Sequence, residues 1–172
     1  MACLLNTGYD LGCRDSLGGI KRAYIANFDS LQSYTLDADN NITALDITSP
    51  PQTYYTFEQE MENGEFNQIG NYSTENGTVY FTQILTLILH KNDAALRNQL
   101  LVLSQANLSI IVQDQRDEYW LLGKENGIRV SAGSQNTGKA FGDMNGVSIT
   151  FEGKEAEPAS RIEGFASIID VA

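Results

Sequence analysis

The chain has 172 residues, about the size of one domain, and is long enough to bury a hydrophobic core without disulfides or metals. It carries 22 acidic and 11 basic residues, a formal net charge of -11, which disfavours direct affinity for nucleic-acid backbones and anionic membrane surfaces. No window approaches the roughly 20 apolar residues of a membrane span, and the first residues lack a basic, apolar leader, so we expect a soluble product of the cytosol.

Strand patterns dominate the first third of the chain. Residues 19–28 predict one strand, and residues 36–47 predict two strands joined by an Asp- and Asn-rich turn at 37–41. A strand rich in β-formers is predicted at 53–60, after two prolines. The polar segment 61–77 predicts a loop with room for one short strand.

The middle of the chain predicts its longest strand and its one substantial helix. Residues 78–90 carry large apolar groups on both alternating faces, which predicts a central strand covered on both sides. A helix is predicted at about 92–105, with Asn92 as its cap and Asp93 in its first turn. Its apolar face is formed by leucines at helical spacing, namely Leu96, Leu100 and Leu103.

The last third returns to short strands separated by turns. The clearest hairpin turns at 115–117, between two strongly patterned strands, and two half-buried antiparallel strands and a final strand follow. The predicted strands lie at 108–114, 118–123, 127–132, 146–153 and 164–171.

The segment GSQNTGKA, residues 133–140, matches the phosphate-binding loop G-x-x-x-x-G-K-[ST] except at its last position, where Ala140 replaces the hydroxyl residue. A functional phosphate loop opens a helix, whereas a strand pattern follows here and too few residues remain for a nucleotide-binding domain. We therefore interpret the Gly133–Lys139 match as coincidental. Lys139 is instead predicted to be a solvated loop charge and a candidate assembly contact that faces a neighbour's carboxylate.

A second motif resembles the start of a calcium loop. Asp37, Asp39 and Asn41 have the right spacing, but Ile42 stands where the loop needs glycine and Thr48 where it needs a bidentate glutamate. The segment therefore predicts a hairpin turn. We expect no metal site and no cofactor in this chain.

The other residues whose side chains could take part in chemistry are better explained by structural roles. His90 ends the long strand with no nucleophile motif near it, and Trp120 is typical of a packed strand tryptophan. A run of acidic residues is typical of a solvated face, and it could equally line a wet channel. These carboxylates are further candidate assembly contacts: Glu58, Glu60 and Glu62.

The two cysteines, Cys3 and Cys13, lie close together near the N-terminus. A disulfide and two reduced thiols are both open, with thiols favoured in a cytosolic product. With one histidine in the chain, four nitrogen or sulfur ligands for structural zinc cannot be assembled.

Four segments carry a resemblance to a known class of proteins. They read YWLLGKENG, GDMNGVSITFEGKEAEP, GCRDSLGGIKRAYIANF and NGTVYFTQILTLILHK, at residues 119–127, 142–158, 12–28 and 76–91. Together they span most of the chain. In this pattern the chain resembles small structural proteins of tailed bacteriophages, in particular the tail-tube and neck-ring proteins of phages of Bacteroides-type hosts.

The resemblance implies a tail-tube-like fold, an antiparallel β-sandwich or small barrel with one flanking helix. It implies a non-enzymatic virion subunit of the tail or neck, assembled in the cytoplasm of the bacterial host. Such subunits form rings, with hexameric symmetry expected, whose inner sheets join around a negatively charged channel. Genome DNA passes through that channel without specific binding, and the partners are further copies of the chain and other phage tail, neck or portal proteins, with no membrane.

Two further expectations accompany this interpretation. The whole chain, 1–172, is expected to be a single domain, in which the N-terminal arm 1–18 and the segment 59–77 are ordered by assembly. The alternative function is a capsid-decoration or host-adhesion β-sandwich, a binding module whose Tyr- and Asn-rich loops contact a capsid or glycan. A nucleotide-dependent enzyme would depend on the loop at Gly133 alone.

Overall fold

A computed structural model describes residues 8–14, 16–28, 31–47 and 53–164. This part of the chain contains eleven strands and one helix. In chain order these are β1 (Ile20–Asn27), β2 (Leu31–Leu36), β3 (Ile42–Ile47), β4 (Tyr55–Glu58), β5 (Glu65–Ser73), β6 (Thr78–His90), α1 (Ala94–Gln105), β7 (Leu108–Asp114), β8 (Tyr119–Leu122), β9 (Arg129–Asn136), β10 (Gly146–Glu155) and β11 (Ser160–Ile162).

The strands form two sheets that pack against each other. The larger sheet has seven strands in the order β2-β3-β11-β8-β7-β1-β4, and the smaller has four in the order β5-β6-β10-β9. All the strand pairs are antiparallel except β11 with β3. The predicted mostly-β sandwich with one helix is confirmed, and the sheets are not closed into a barrel.

The main hydrophobic core lies between the two sheets. Alternate residues of β1 and β7, such as Ile25 and Ile110, face Leu85 and Phe151 of the smaller sheet, and Leu103 of α1 joins them. A second cluster covers the opposite face of the larger sheet, where Tyr54, Ile111 and Leu121 are among the buried residues. The larger sheet is therefore apolar on both faces, whereas the smaller sheet is apolar on one.

Several predicted elements are confirmed where the structure describes them. Strand β1, the β7–β8 hairpin and helix α1 lie where the sequence patterns place them. The turn and second strand of the β2–β3 hairpin do so too, whereas its first strand lies at 31–36, ahead of the predicted segment 36–47. In the β2–β3 turn, the Asp37 carboxylate accepts the backbone N–H groups of Asp39 and Asn41, both at 2.8 Å. The side-chain amide and backbone N–H of Asn41 are the main reasons that the pKa of Asp37 is lowered. This carboxylate closes a turn, as the spacing analysis favoured.

The segment 61–77, predicted as a loop with room for one short strand, contains one strand, β5, which is longer than expected at nine residues. Every residue of β5 pairs with β6, from Glu65 opposite Thr86 to Ser73 opposite Thr78. The strand is rich in Asn, Gln and Gly, so its strand character comes from its partner and not from apolar alternation.

Strand β6 is central in its sheet, as predicted, but only one of its faces is buried. Gln83, Leu85 and Leu87 are buried, and the residues between them are partly exposed. Within the described residues the prediction of cover on both sides is wrong, because the residues of the second face are at most partly buried.

The N-cap of α1 is Asp93 and not Asn92. The Asp93 carboxylate accepts the backbone N–H of Leu96 at 2.7 Å, which satisfies one free donor of the first turn. Asn92 instead donates its side-chain amide to the carbonyl oxygen of Asn136 and to the side-chain oxygen of Asn145, at 3.0 and 2.6 Å.

Strand β9 is longer and more exposed than predicted. It continues to Asn136, so the first half of the phosphate-loop-like segment is strand. Seven of its eight residues are exposed, and they lie on both faces of the strand. The short strand β11 lies where no strand is predicted from the sequence. The predicted final strand falls almost entirely on residues 165–172, outside the described residues, as does Cys3; Cys13 is a free, exposed thiol.

Candidate assembly interface

The smaller sheet presents a polar face away from the core. Cross-strand pairing places hydroxyl residues side by side there, for example Thr86 of β6 opposite Thr150 of β10, and the amide of Asn67 lies on the same face of β5. Apart from Gly146, which has no side chain, none of the strand residues on this face is buried. Its charges balance, with two carboxylates and two cations: Glu65, Glu152, Arg129 and Lys154.

Two strands of this sheet end it on either side, β5 and β9. No other described strand pairs with the outer edge of either one, and their lengths are similar, nine and eight residues. Because all three junctions between them are antiparallel, β5 and β9 run in opposite directions. Each edge thus offers a row of backbone donors and acceptors that a further strand can pair with.

Both edges lack most of the usual protection against pairing with another chain. The exceptions lie on β9, where the register shifts by one residue between Ala132 and Val130 and where the Asn136 carbonyl accepts a hydrogen bond from Asn92. Protected edge strands are short or contain proline, lysine or inward-facing charges. The sequence of β5 is EFNQIGNYS and that of β9 is RVSAGSQN, so each has one charged residue, at its start. These edges were missed in the sequence analysis, and the signal that could have revealed them is the absence of lysine and proline from two long polar strands.

The two layers differ in width. At about 4.8 Å between strands, the four-stranded sheet is about 19 Å wide and the seven-stranded sheet about 34 Å. The polar face therefore lies on the narrow side of a wedge.

Lys139 lies in the exposed loop 137–145 that joins β9 to β10. The Asp143 carboxylate accepts the backbone N–H groups of Lys139 and Ala140, both at 2.8 Å. These two bonds, with Ala140 the larger cause, lower the pKa of Asp143. The N–H groups that a phosphate loop would offer to a nucleotide thus bind an internal carboxylate, and strand β10 follows where a helix would be needed.

The predicted acidic contacts lie near the same end of the smaller sheet. Glu58 ends β4 and forms an ion pair with Arg22 at 3.2 Å, whereas Glu60 and Glu62 are exposed just before β5. Asn63, beside them, hydrogen-bonds the imidazole of His90 at 3.0 Å. Lys139 and these glutamates are not in contact within one chain, but they lie on opposite sides of the sheet at its His90 end.

An open groove separates α1 from β1 and β4. Its volume is about 1140 Å³, and its lining combines apolar residues such as Phe57 and Leu96 with Glu58, Glu60 and His90. Among the described residues, no group of histidine, cysteine or carboxylate side chains could hold a metal ion.

The segment GKENG at 123–127 is held by a buried carboxylate. Glu155 is only 3% exposed, and its Oε1 accepts the backbone N–H groups of Glu125 and Asn126. Lys124 is buried as well and forms an ion pair with Glu157 at 2.8 Å. Burial is the main reason that the pKa of Glu155 is raised. This network stabilises a turn and offers no open position for a ligand.

Helices that could cross a membrane are absent from the described parts of the chain. Comparison with protein-family models finds no match, and comparison with curated proteins finds none either.

Proposed function

We propose that this chain is a non-enzymatic structural subunit of a bacteriophage virion, of the tail-tube or neck-ring type. The observation that supports the proposal most strongly is the smaller sheet, with two open edge strands of opposite direction on either side of a polar face. Rotation of one copy next to another brings β9 beside β5 in antiparallel orientation. The junction continues the alternation already present inside the sheet.

Repetition of this junction closes a ring in which the polar faces form a channel. A head-to-tail contact of this kind uses two different surfaces of each subunit, and it gives a ring when the rotation closes. The resemblance to phage proteins leads us to propose six subunits. Four strands from each would give a continuous barrel about 45 Å across between backbones, which is wider than a DNA duplex.

The wall of such a channel would be polar and balanced in charge. Hydroxyl and amide groups such as Thr86, Thr150 and Asn67 interact weakly with a passing polyanion, and no cluster of cations faces them to retain it. The proposed negative potential would come from the loops at the two channel mouths, where Glu75 and Asp143 lie. DNA is the proposed cargo, and further copies of the chain and other tail, neck or portal proteins are the proposed partners.

Imaging of the purified chain tests the proposal. Negative-stain microscopy together with light scattering should show rings or stacked tubes with a central hole, of about six subunits per ring. Monomers at every concentration up to the millimolar range would overturn it.

A monomeric result would favour the alternative function, a binding module. One feature of the structure supports that alternative. The β5–β6 hairpin extends beyond β10 and exposes Tyr72, Val79 and Tyr80 at its tip. Exposed tyrosines on a protruding hairpin suit contact with a capsid or a glycan. Loss of capsid or glycan binding in Tyr72→Ser, with no ring formed by the parent chain, would support that function.

A further inference from the structure

The two open edges are offset along the strand direction. The size of this offset can be counted in residues of β6, which lies between them. At one end of the sheet, β5 begins with Glu65 opposite Thr86. Strand β9 ends with Asn136, which pairs with Gly146 and through it reaches the level of His90. The two edges differ there by four residues of β6.

At the other end the offset is larger. Strand β5 ends with Ser73 opposite Thr78. Strand β9 begins with Arg129, which pairs with Glu152 and reaches the level of Ile84. The edges differ there by six residues, so adjacent copies must slide by about four to six residues for β9 to be paired along its whole length.

The alternation of side chains restricts this slide to even numbers. A slide by an odd number of residues would place the polar face of one copy beside the core face of the next. Slides of four and six both keep the polar faces together and pair all of β9. A slide of two leaves the end of β9 unpaired.

Barrel geometry separates the two remaining values. A slide of four residues is about 14 Å across a sheet about 19 Å wide, which tilts the strands by about 35°, whereas a slide of six tilts them by about 47°. Closed barrels have strand tilts of about 35–45°. The tilt depends on the slide per subunit and not on the number of subunits, so the argument holds for any ring size.

Side-chain chemistry favours the same slide. With a slide of four, Ile69 of one copy lies opposite Ala132 of the next, and Asn67 lies opposite Ser134. Polar residues thus face polar residues across the junction, and the exposed Ile69 gains an apolar partner. Past the strand ends, the loop that carries Lys139 and the turn that carries Glu62 of the adjacent copy lie at the same end of the junction, a cation near a carboxylate.

From these four observations we infer that the partner of each open edge is a second copy of this chain, joined in the register that sets Asn67 opposite Ser134. The inference rests on the proposed ring and specifies the junction inside it. It assigns β5 and β9 as the two halves of one interface and links Lys139 with Glu62 across that interface.

Cysteine pairs test the register directly. In a background with Cys3→Ser and Cys13→Ser, a fixed Ser134→Cys is combined with Asn67→Cys, Ile69→Cys or Glu65→Cys, which sample slides of four, six and two. Directly opposite Cα atoms are about 4.5–5.5 Å apart, within disulfide range, whereas a pair displaced by two residues is about 7 Å or more apart. All four positions are exposed, so the substitutions leave the core intact.

Oxidation of assembled rings should give a ladder of covalent oligomers with Asn67→Cys and at least tenfold less with the other two partners. A ladder with either other partner, or no ladder from rings that are intact by microscopy, overturns the register while the proposed ring stands. Absence of rings from the parent chain overturns the proposed function itself. If a double variant does not assemble, Ala132→Cys with Ile69→Cys, Asn71→Cys or Asn67→Cys samples the same three registers.

Discussion

The Oε1 atom of Glu155 lies 2.9 Å from the backbone nitrogen of Asn126, and it accepts the N–H of the preceding residue at 3.1 Å. A carboxylate at the end of β10 thus fixes the turn between β8 and β9. The side chain is buried, so the bonds are shielded from competition with water.

Removal of this acceptor should destabilise the fold. We expect Glu155→Ala to lower the free energy of unfolding by about 1–3 kcal/mol, because two backbone N–H groups lose their partner in a buried site. Glu155→Gln keeps an oxygen at the accepting position and should lose less. Urea denaturation monitored by Trp120 fluorescence measures both, and equal losses in the two variants would contradict the role of the acceptor oxygen.

Burial of Glu155 should also change how the free energy of unfolding depends on pH. Its pKa is raised in the folded state, mainly by burial, so the folded state binds this proton more tightly than the unfolded state. The contribution of Glu155 is therefore fully present below the unfolded pKa and is lost as the pH rises through the folded pKa. The stability of Glu155→Gln relative to the parent should therefore rise as the pH increases above about 4.3, the ordinary pKa of a glutamate. Parallel urea-midpoint profiles for the two proteins would contradict this.

The N-cap of α1 offers a local test of the structure. Asp93→Ala removes the acceptor for the Leu96 N–H and should cost about 0.5–2 kcal/mol of stability, whereas Asp93→Asn should cost little. Thermal unfolding followed by circular dichroism distinguishes them. If both variants unfold together at the lower temperature, the charge of Asp93 and not its acceptor geometry is what stabilises the helix.

A lysine on the open edge of β9 should block assembly without unfolding the subunit. Ala132→Lys places a charge where the proposed junction has an apolar contact, and we expect the concentration needed for assembly to rise roughly tenfold or more. Gln105→Lys, on the exposed end of α1, is the matched control for the added charge. Light scattering should show monomers for the first variant and rings for the second; rings from both would exclude β9 as a junction.

Charge reversal probes the link between Lys139 and Glu62. Each single variant, Lys139→Glu or Glu62→Lys, should weaken assembly by up to about fivefold at low salt, since an exposed ion pair contributes about 0.2–1 kcal/mol. The double variant should recover the parent behaviour, because the pair is restored with its signs exchanged. Sedimentation at low and at high salt measures the effect, and a double variant as weak as the singles would place the two residues apart.

The sequence by itself determined the elements in which the pattern of apolar side chains shows which face is buried. Strands β1 and β7 alternate or accumulate apolar residues, the leucines of α1 recur at helical spacing, and Asp37 carries the chemistry of its turn. These patterns also excluded a phosphate loop at Gly133, because a strand follows it. Local sequence suffices for such features, since each depends on the residues of one segment.

Tertiary structure alone decided the features that depend on a partner. Strand β5 is polar and becomes a strand because β6 offers it a ladder of backbone groups, and the burial of Glu155 depends on a turn some 30 residues earlier in the chain. The open edges, their opposite directions and their offset exist only once four distant segments lie side by side. Hydrogen bonds between strands are made by the backbone, which has the same donor and acceptor in every residue except proline. Side-chain patterns therefore do not predict which strands pair.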